Sequence, residues 1–397
     1  MKKDAKHRPI TLELIELLKD EKLKEMMDDS IALARKANPN TDSNPIFQTE
    51  DLFSFIDRLD GCMPWLICPS KEYSSLYMRL DQGMGFMYFF FDQPLKQLED
   101  KGYFHNSLIY HEPIAGWFRK LVKQMGLFLD SEASWNEEYY QIALANEDFG
   151  LKEDLYEDKE NWKSFNDFFV RRFRHPSRRP IGSPNDPAVI VSPADASCQG
   201  LWRIDENGIV ELKGDESQNG IAIKTGTLRD IAVFLAPSSY KDCFHGGFLT
   251  HTFLDINNYH RYHFPVSGTI KEVLRIDGAI APGGVITWDE ERKRYYEYFS
   301  ELFGWQSLES RGLIIMEMDA GGLLAISPIG MCQVASVNFE EEVKVGCHVK
   351  KGDPMGYFKY GGSDIVMVFQ KDSDFTLSVK ENTFLKVGEE YGTIKKA

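Results

Sequence analysis

Residues 360–369 read Tyr360-Gly361-Gly362-Ser363-Asp364-Ile365-Val366-Met367-Val368-Phe369. A glycine pair, a serine and an aspartate lead into five apolar residues, which predicts a tight turn opening an apolar strand. Segments of the same kind precede it: Ala188–Ser192, Gly247–Phe253, Gly268–Arg275, Gly312–Met318 and Gly322–Pro328, separated by Gly, Pro, Asn and Asp. Short strands at such spacing predict a sandwich or partly closed barrel from about residue 185 onward. The texture upstream is different. Leu14, Ile15, Leu18, Leu23, Met26 and Met27 fall on helical spacing and predict one amphipathic helix over 11–35. Further helical patterns cover Ile114–Phe128 and Glu137–Asn146, and the aromatic run Phe86–Phe91 predicts a buried core element. An acidic stretch, Glu147–Glu160, marks the change. The expected class is α+β: a helical N-terminal domain over 1–155, then a β-rich sandwich or barrel domain over 156–397. A chain of 397 residues is long for a single core, which agrees with two domains.

Charge excludes some functions. The formal net charge is -15 and the isoelectric point about 5.2, so the chain lacks the basic footprint that nucleic acid requires. The same balance argues against docking on an anionic bilayer. Residues 1–35 carry eight basic and eight acidic side chains, leaving no excess charge for headgroups. Six cysteines stand at 62, 68, 198, 243, 332 and 347 with no CxxC pair, so no metal site is expected and the thiols are read as reduced. The opening MKKDAKHRPI has no apolar stretch behind its basic residues. The longest apolar run, Gly83–Phe91, has nine residues against the roughly 18 that a membrane span needs. The expected location is the cytoplasm, with peripheral membrane contact as the alternative.

Three polar clusters stand out in the β-rich half. They are Val191-Ser192-Pro193-Ala194-Asp195, Asn258-Tyr259-His260-Arg261-Tyr262-His263-Phe264-Pro265, and Tyr360-Gly361-Gly362-Ser363-Asp364. Singly, each has an ordinary structural reading: a turn acid, structural histidines, a glycine turn. Together they supply an acid, a base and a serine, the parts of a nucleophilic relay. A hydrolase would present its serine in a Gly-x-Ser-x-Gly elbow, and Ser363 has none. His260 and His263, three apart, need a kink in an extended chain to face one site.

In these motifs the chain resembles the phosphatidylserine decarboxylases over roughly 160–397. Phe165-Asn166-Asp167-Phe168-Phe169-Val170-Arg171-Arg172 with Arg179-Pro180-Ile181, then Ser192-Pro193-Ala194-Asp195, then Tyr259-His260-Arg261-Tyr262-His263, match the family's motifs in order. The run Val345-x-x-His348-Val349-Lys350-Lys351-Gly352-Asp353 leads to Gly362-Ser363 as the family's last motif does. The resemblance implies self-cleavage between Gly362 and Ser363, giving a β chain of 1–362 and an α chain of 363–397 that begins with a covalent pyruvoyl group made from Ser363. It implies His263, oriented by Asp195, as the base for the serine hydroxyl, and His260 as the acid that reprotonates the product. It further implies a Schiff base with the substrate amine, release of CO2 and a homodimer. The chemistry has a physical rationale, since a glycine carbonyl offers a neighbouring hydroxyl an unobstructed N-to-O acyl shift. Asp364 stands where the family usually has threonine.

The substrate is read as a soluble L-amino acid, aromatic such as tryptophan, with phosphatidylserine as the alternative. Phe118–Ser131 resembles the N-terminal domain of the soluble fungal L-tryptophan decarboxylases within the same family. Two further features bear on ligands. The insert Trp288–Trp305, rich in aromatics, is read as a lid or as an amphipathic helix packed on the β domain. The cluster Arg171, Arg172, Arg174, Arg178 and Arg179 is read as an anion site or as partners for nearby acids. A non-catalytic reading also exists: Val345–Phe358 suggests a lipoyl-domain-like hairpin, although no Met-Lys-Met-type site accompanies it.

Overall fold

The computed structural model describes residues 7–101, 106–212, 228–299, 303–332, 336–360 and 362–395. Gly361 of the glycine pair and residues 300–302 of the aromatic insert lie outside the described residues, as do the side chains of Tyr298 and Phe299. The chain forms two compact units and is α+β. One unit comprises 1–146, 163–165 and 279–299, and the other 147–162, 166–278 and 300–397.

The first unit is helical. Asp20 breaks the helix expected over 11–35 in two: its carboxylate accepts from the Leu23 N–H at 2.9 Å and caps a new helix, Glu21–Ala37, after Pro9–Leu17. Leu14, Leu18, Leu23 and Met27 are buried as the periodicity requires. The aromatic run ends the helix Leu76–Phe89 and is fully buried from Phe86 to Phe91. Phe86 meets Phe55 and Phe90 edge-on at 5.0 and 5.2 Å, and Phe91 meets Phe118 at 5.1 Å.

The aromatic insert corrects its sequence reading. Its described residues form no α-helix but a hairpin, Gly284–Asp289 paired with Arg294–Phe299, that belongs to the helical unit. Tyr295 places its ring 5.0 Å from Phe89 and donates its hydroxyl to the Ser43 carbonyl at 2.7 Å. Gln82 brackets the Tyr295 backbone, accepting from its N–H at 2.6 Å and donating to its carbonyl at 2.8 Å. A Cβ at Gly85 would lie 2.7 Å from the Tyr295 Cβ, so the close approach depends on glycine there. Trp288, Tyr295, Phe303 and Trp305 are buried, which removes them from the surface a lid would present.

The second unit is built on an eight-stranded antiparallel sheet. Its order is His348–Val349, Gly268–Ile276, Arg311–Met318, Leu323–Met331, Gly362–Phe369, Phe248–Leu254, Ala196–Arg203 and Phe384–Leu385. The strand read first from sequence, Gly362–Phe369, is interior. It pairs with Leu323–Met331 on one side and Phe248–Leu254 on the other. Residues 363–369 are all buried, which explains a run apolar on both faces rather than an alternating one. Only Ser363 and Asp364 break that run, so both need partners inside the protein. No described helix is long and apolar enough to cross a membrane.

Candidate active site

All three polar clusters fall in the β-rich unit. The backbone N–H of His263 donates to the Pro193 carbonyl at 2.8 Å, which joins the first cluster to the second. The third joins through Ser363, whose Oγ lies 3.5 Å from Nδ1 of His260, at the outer limit of a hydrogen bond.

His260 is held on every side. Its Nε2 lies 3.1 Å from the Ile256 carbonyl, which can only accept, so Nε2 carries the proton and Nδ1 presents a lone pair to the serine. Phe169 stacks on the ring at 4.0 Å, and the His260 carbonyl accepts from Phe358 N–H at 2.9 Å. Burial pushes its pKa down to about 3, with the Arg171 charge acting in the same direction. The imidazole is therefore a neutral acceptor across the physiological range.

Arg171 is fully buried and reaches the loop that carries His260. It donates to the Asn257 and Asn258 carbonyls at 3.0 and 3.2 Å, and its guanidinium lies 4.5 Å over the Tyr156 ring. The other four arginines of the cluster pair with acids. Arg172 meets Glu340, Arg174 meets Asp154 and Asp158, Arg178 meets Asp154, and Arg179 meets Asp195. The reading as partners for nearby acids holds for those four, and not for Arg171.

The two histidines have different partners among the described contacts. The structure brings His260, not His263, to Ser363. His263 donates Nδ1–H to the Gly352 carbonyl at 2.9 Å, and its Nε2 receives the Tyr259 hydroxyl at 3.1 Å. Burial pushes the Tyr259 phenol up, so it stays protonated and donates. Burial pushes the His263 imidazole down. Asp195 does not orient His263 among the described contacts. It takes two bonds from Arg179, at 3.1 and 2.5 Å, and one from the Val387 N–H at 2.8 Å. The histidines diverge because His263 lies on the strand Arg261–His263, whereas His260 precedes it and turns the other way.

Sequence reasoning did not connect three groups to His260: Phe169, Arg171 and the Ile256 carbonyl. The first two sit in the opening motif, whose match carried no assigned role. Asn166 of the same motif accepts from the Tyr360 N–H at 3.1 Å, holding the chain just before the glycine pair. Gly362 pairs with Met331 at the start of its strand.

With this geometry in hand, comparison with known proteins is informative. A family model described as phosphatidylserine decarboxylase matches residues 165–393. Phosphatidylserine decarboxylase proenzyme 2 of Oryza sativa subsp. japonica is 28% identical over 255 residues, 64% of this chain and 37% of that protein. L-tryptophan decarboxylase of Psilocybe cyanescens is 29% identical over 247 residues, 59% of this chain and 53% of that protein. Phosphatidylserine decarboxylase proenzyme of Clostridium novyi is 28% identical over 279 residues, 66% of this chain and 81% of that protein. The chain thus spans about a third of the length of the rice protein and about half that of the fungal one.

Proposed function

The chain belongs to the phosphatidylserine decarboxylase family, and from that premise we propose a self-processing, pyruvoyl-dependent decarboxylase that cuts itself between Gly362 and Ser363. One observation carries the proposal: a buried serine hydroxyl, preceded by glycine, 3.5 Å from the lone pair of an imidazole with a fixed tautomer. His260 Nδ1 takes the Ser363 proton as Oγ attacks the Gly362 carbonyl carbon. The C–N bond breaks, the Ser363 nitrogen takes up a proton, and an ester joins Gly362 to Oγ. Loss of the Ser363 Hα with departure of the Gly362 carboxylate from Cβ leaves a dehydroalanyl residue. Addition of one water then releases ammonia and leaves a ketone at position 363. The fragment 363–397 keeps its pairing to both neighbouring strands through residues 363–369, so the cut leaves the sheet assembled.

The resulting ketone, conjugated to the Asp364 amide, supplies an electrophile for a primary amine and a sink for the electrons released with CO2. His260 Nδ1 remains beside position 363, placed to relay a proton to the substrate carbon. The residues named at this centre all fall within 156–397, the span we propose as the catalytic domain.

The substrate proposed first is a free L-amino acid, aromatic such as tryptophan. The resemblance of Phe118–Ser131 to the tryptophan enzymes supports it, as does similarity to the Psilocybe protein. Phosphatidylserine is the second reading, supported by the names of the rice and Clostridium relatives. The two substrates share the α-amino carboxylate on which the chemistry acts.

Intact mass under denaturing conditions tests the maturation. Two chains split at 362/363, the smaller lacking its amine and carrying a ketone, are expected; they should co-elute on a native column. A single full-length chain would sink the proposal. CO2 release from L-tryptophan and from phosphatidylserine in detergent micelles then separates the two substrates.

A further inference from the structure

A carboxylate immediately after the reacting serine is a hazard, because Asp364 is buried inside a sheet whose faces are both covered. Unpaired, such a charge is costly. Here it has a partner outside the centre described above. His251 lies diagonally across the neighbouring strand, where Asp364 faces Phe253 and Val366 faces His251. Its Nδ1 stands 3.1 Å from Oδ2 and 3.3 Å from Oδ1 of Asp364. Oδ1 also accepts from the Ile365 N–H at 2.9 Å. Trp202 stacks on the His251 ring at 4.9 Å with 23° between planes, which holds the imidazole in place.

Successive side chains on a strand point to opposite faces. Ser363 therefore leaves toward His260 and Asp364 toward His251, one peptide apart. The 3.5 Å separation of Oγ and Nδ1 is at the edge of bonding, so a few tenths of an ångström at residue 363 decide whether proton transfer is available. We propose that His251, braced by Trp202, is a positioning residue for the reaction at Ser363: by holding the Asp364 carboxylate on the far face of the strand, it keeps the serine hydroxyl turned to His260. This rests on the reading of Gly362–Ser363 as the self-cleaved bond.

The test uses full-length variants followed by denaturing mass. H251A should slow cleavage at least tenfold. H251A/D364T, which removes the carboxylate together with its partner, should cleave faster than H251A alone. A folded H251A chain that cleaves at the wild-type rate, or a double variant no faster than H251A, would overturn the proposal. A second measurement does not depend on cleavage. In an S363A background, the unfolding constants of H251A, D364T and the double variant should depart from additivity by at least tenfold; additive effects would overturn the pairing itself. Should the wild-type chain stay whole, the self-processing reading fails, and the cycle still decides for or against the pair.

Discussion

Two carboxylates buried to a similar degree, Asp92 in the helical unit and Asp195 in the β-rich unit, are held in opposite ways. Among the described contacts Asp92 accepts from neutral donors, the Ile286 N–H and the Ser107 hydroxyl, both at 3.0 Å. Burial outweighs those bonds and pushes its pKa up to about 7. Asp195 is gripped at two points by the Arg179 guanidinium, so its charge is met by a charge. A carboxyl titrating near neutrality ordinarily suggests catalysis. Here it ties the hairpin strand Gly284–Asp289 to the turn after the helix Leu76–Phe89, both within the helical unit. The chemistry proposed above lies instead where a serine hydroxyl meets an imidazole lone pair. A perturbed acid marks burial, and a reactive atom within reach marks a site.

The largest expected effect bears on the β-rich region. H260A should lower the cleavage rate by about 10²–10⁴-fold, the usual worth of a positioned acid–base group, while H263A retains cleavage. Time courses by denaturing gel at several pH values check this. The wild-type rate should show no fall from protonation of His260 between pH 8 and 5, because that imidazole stays neutral until about pH 3. The reverse pattern, with H263A uncut and H260A cut, would favour the Asp195–His263 relay that the family resemblance implies. It would also require Asp195 to leave Arg179 before the reaction.

The next effect is on stability. R179M leaves the Asp195 carboxylate buried without its cation, and breaking a buried pair from one side costs about 3–5 kcal/mol. Urea denaturation followed by tryptophan fluorescence measures it. A loss under about 1 kcal/mol would put the pair in the class of exposed bridges and erase the contrast with Asp92.

The smallest effect tests the helical side. Because the folded pKa of Asp92 is raised, its contribution is fully present below the unfolded value of 3.8 and is lost as pH rises through about 7. An asparagine can accept from Ile286 and donate to Ser107, so D92N should be the more stable protein above pH 7 by about 2 kcal/mol. The advantage should shrink toward pH 5. Thermal unfolding of both proteins at pH 5 and pH 8 measures it, and a difference independent of pH would show that Asp92 is not titrating in the fold.

The opposition also explains what could be read in advance. The strand Gly362–Phe369, the strands before it and the helices Ile114–Leu129 and Glu137–Ala145 were legible because their periods are local. The break at Asp20 was written in a capping residue and missed, since apolar spacing continued across it. Ser363, His260, His263 and Asp195 were legible as a set of residue types in a family order, but not as a set of contacts. Arg171 was visible only as one of five neighbouring arginines, and nothing local distinguishes the one that packs against rings and carbonyls from the four that meet acids.

The sequence by itself determined the α+β class, the position of the interior strand and the glycine–serine pair at its head. Those depend on residues within a few positions of one another. Only the tertiary structure decided that His260 rather than His263 faces Ser363, that Asp195 holds Arg179, that Asp364 turns to His251, and that residues 279–299 join the helical unit. Each of those outcomes is a competition among several chemically adequate partners. Ser363 and His260 are 103 positions apart, and Asp364 and His251 are 113. Which partner wins is set by strand register and side-chain alternation once the sheet has formed, and no local pattern carries that information.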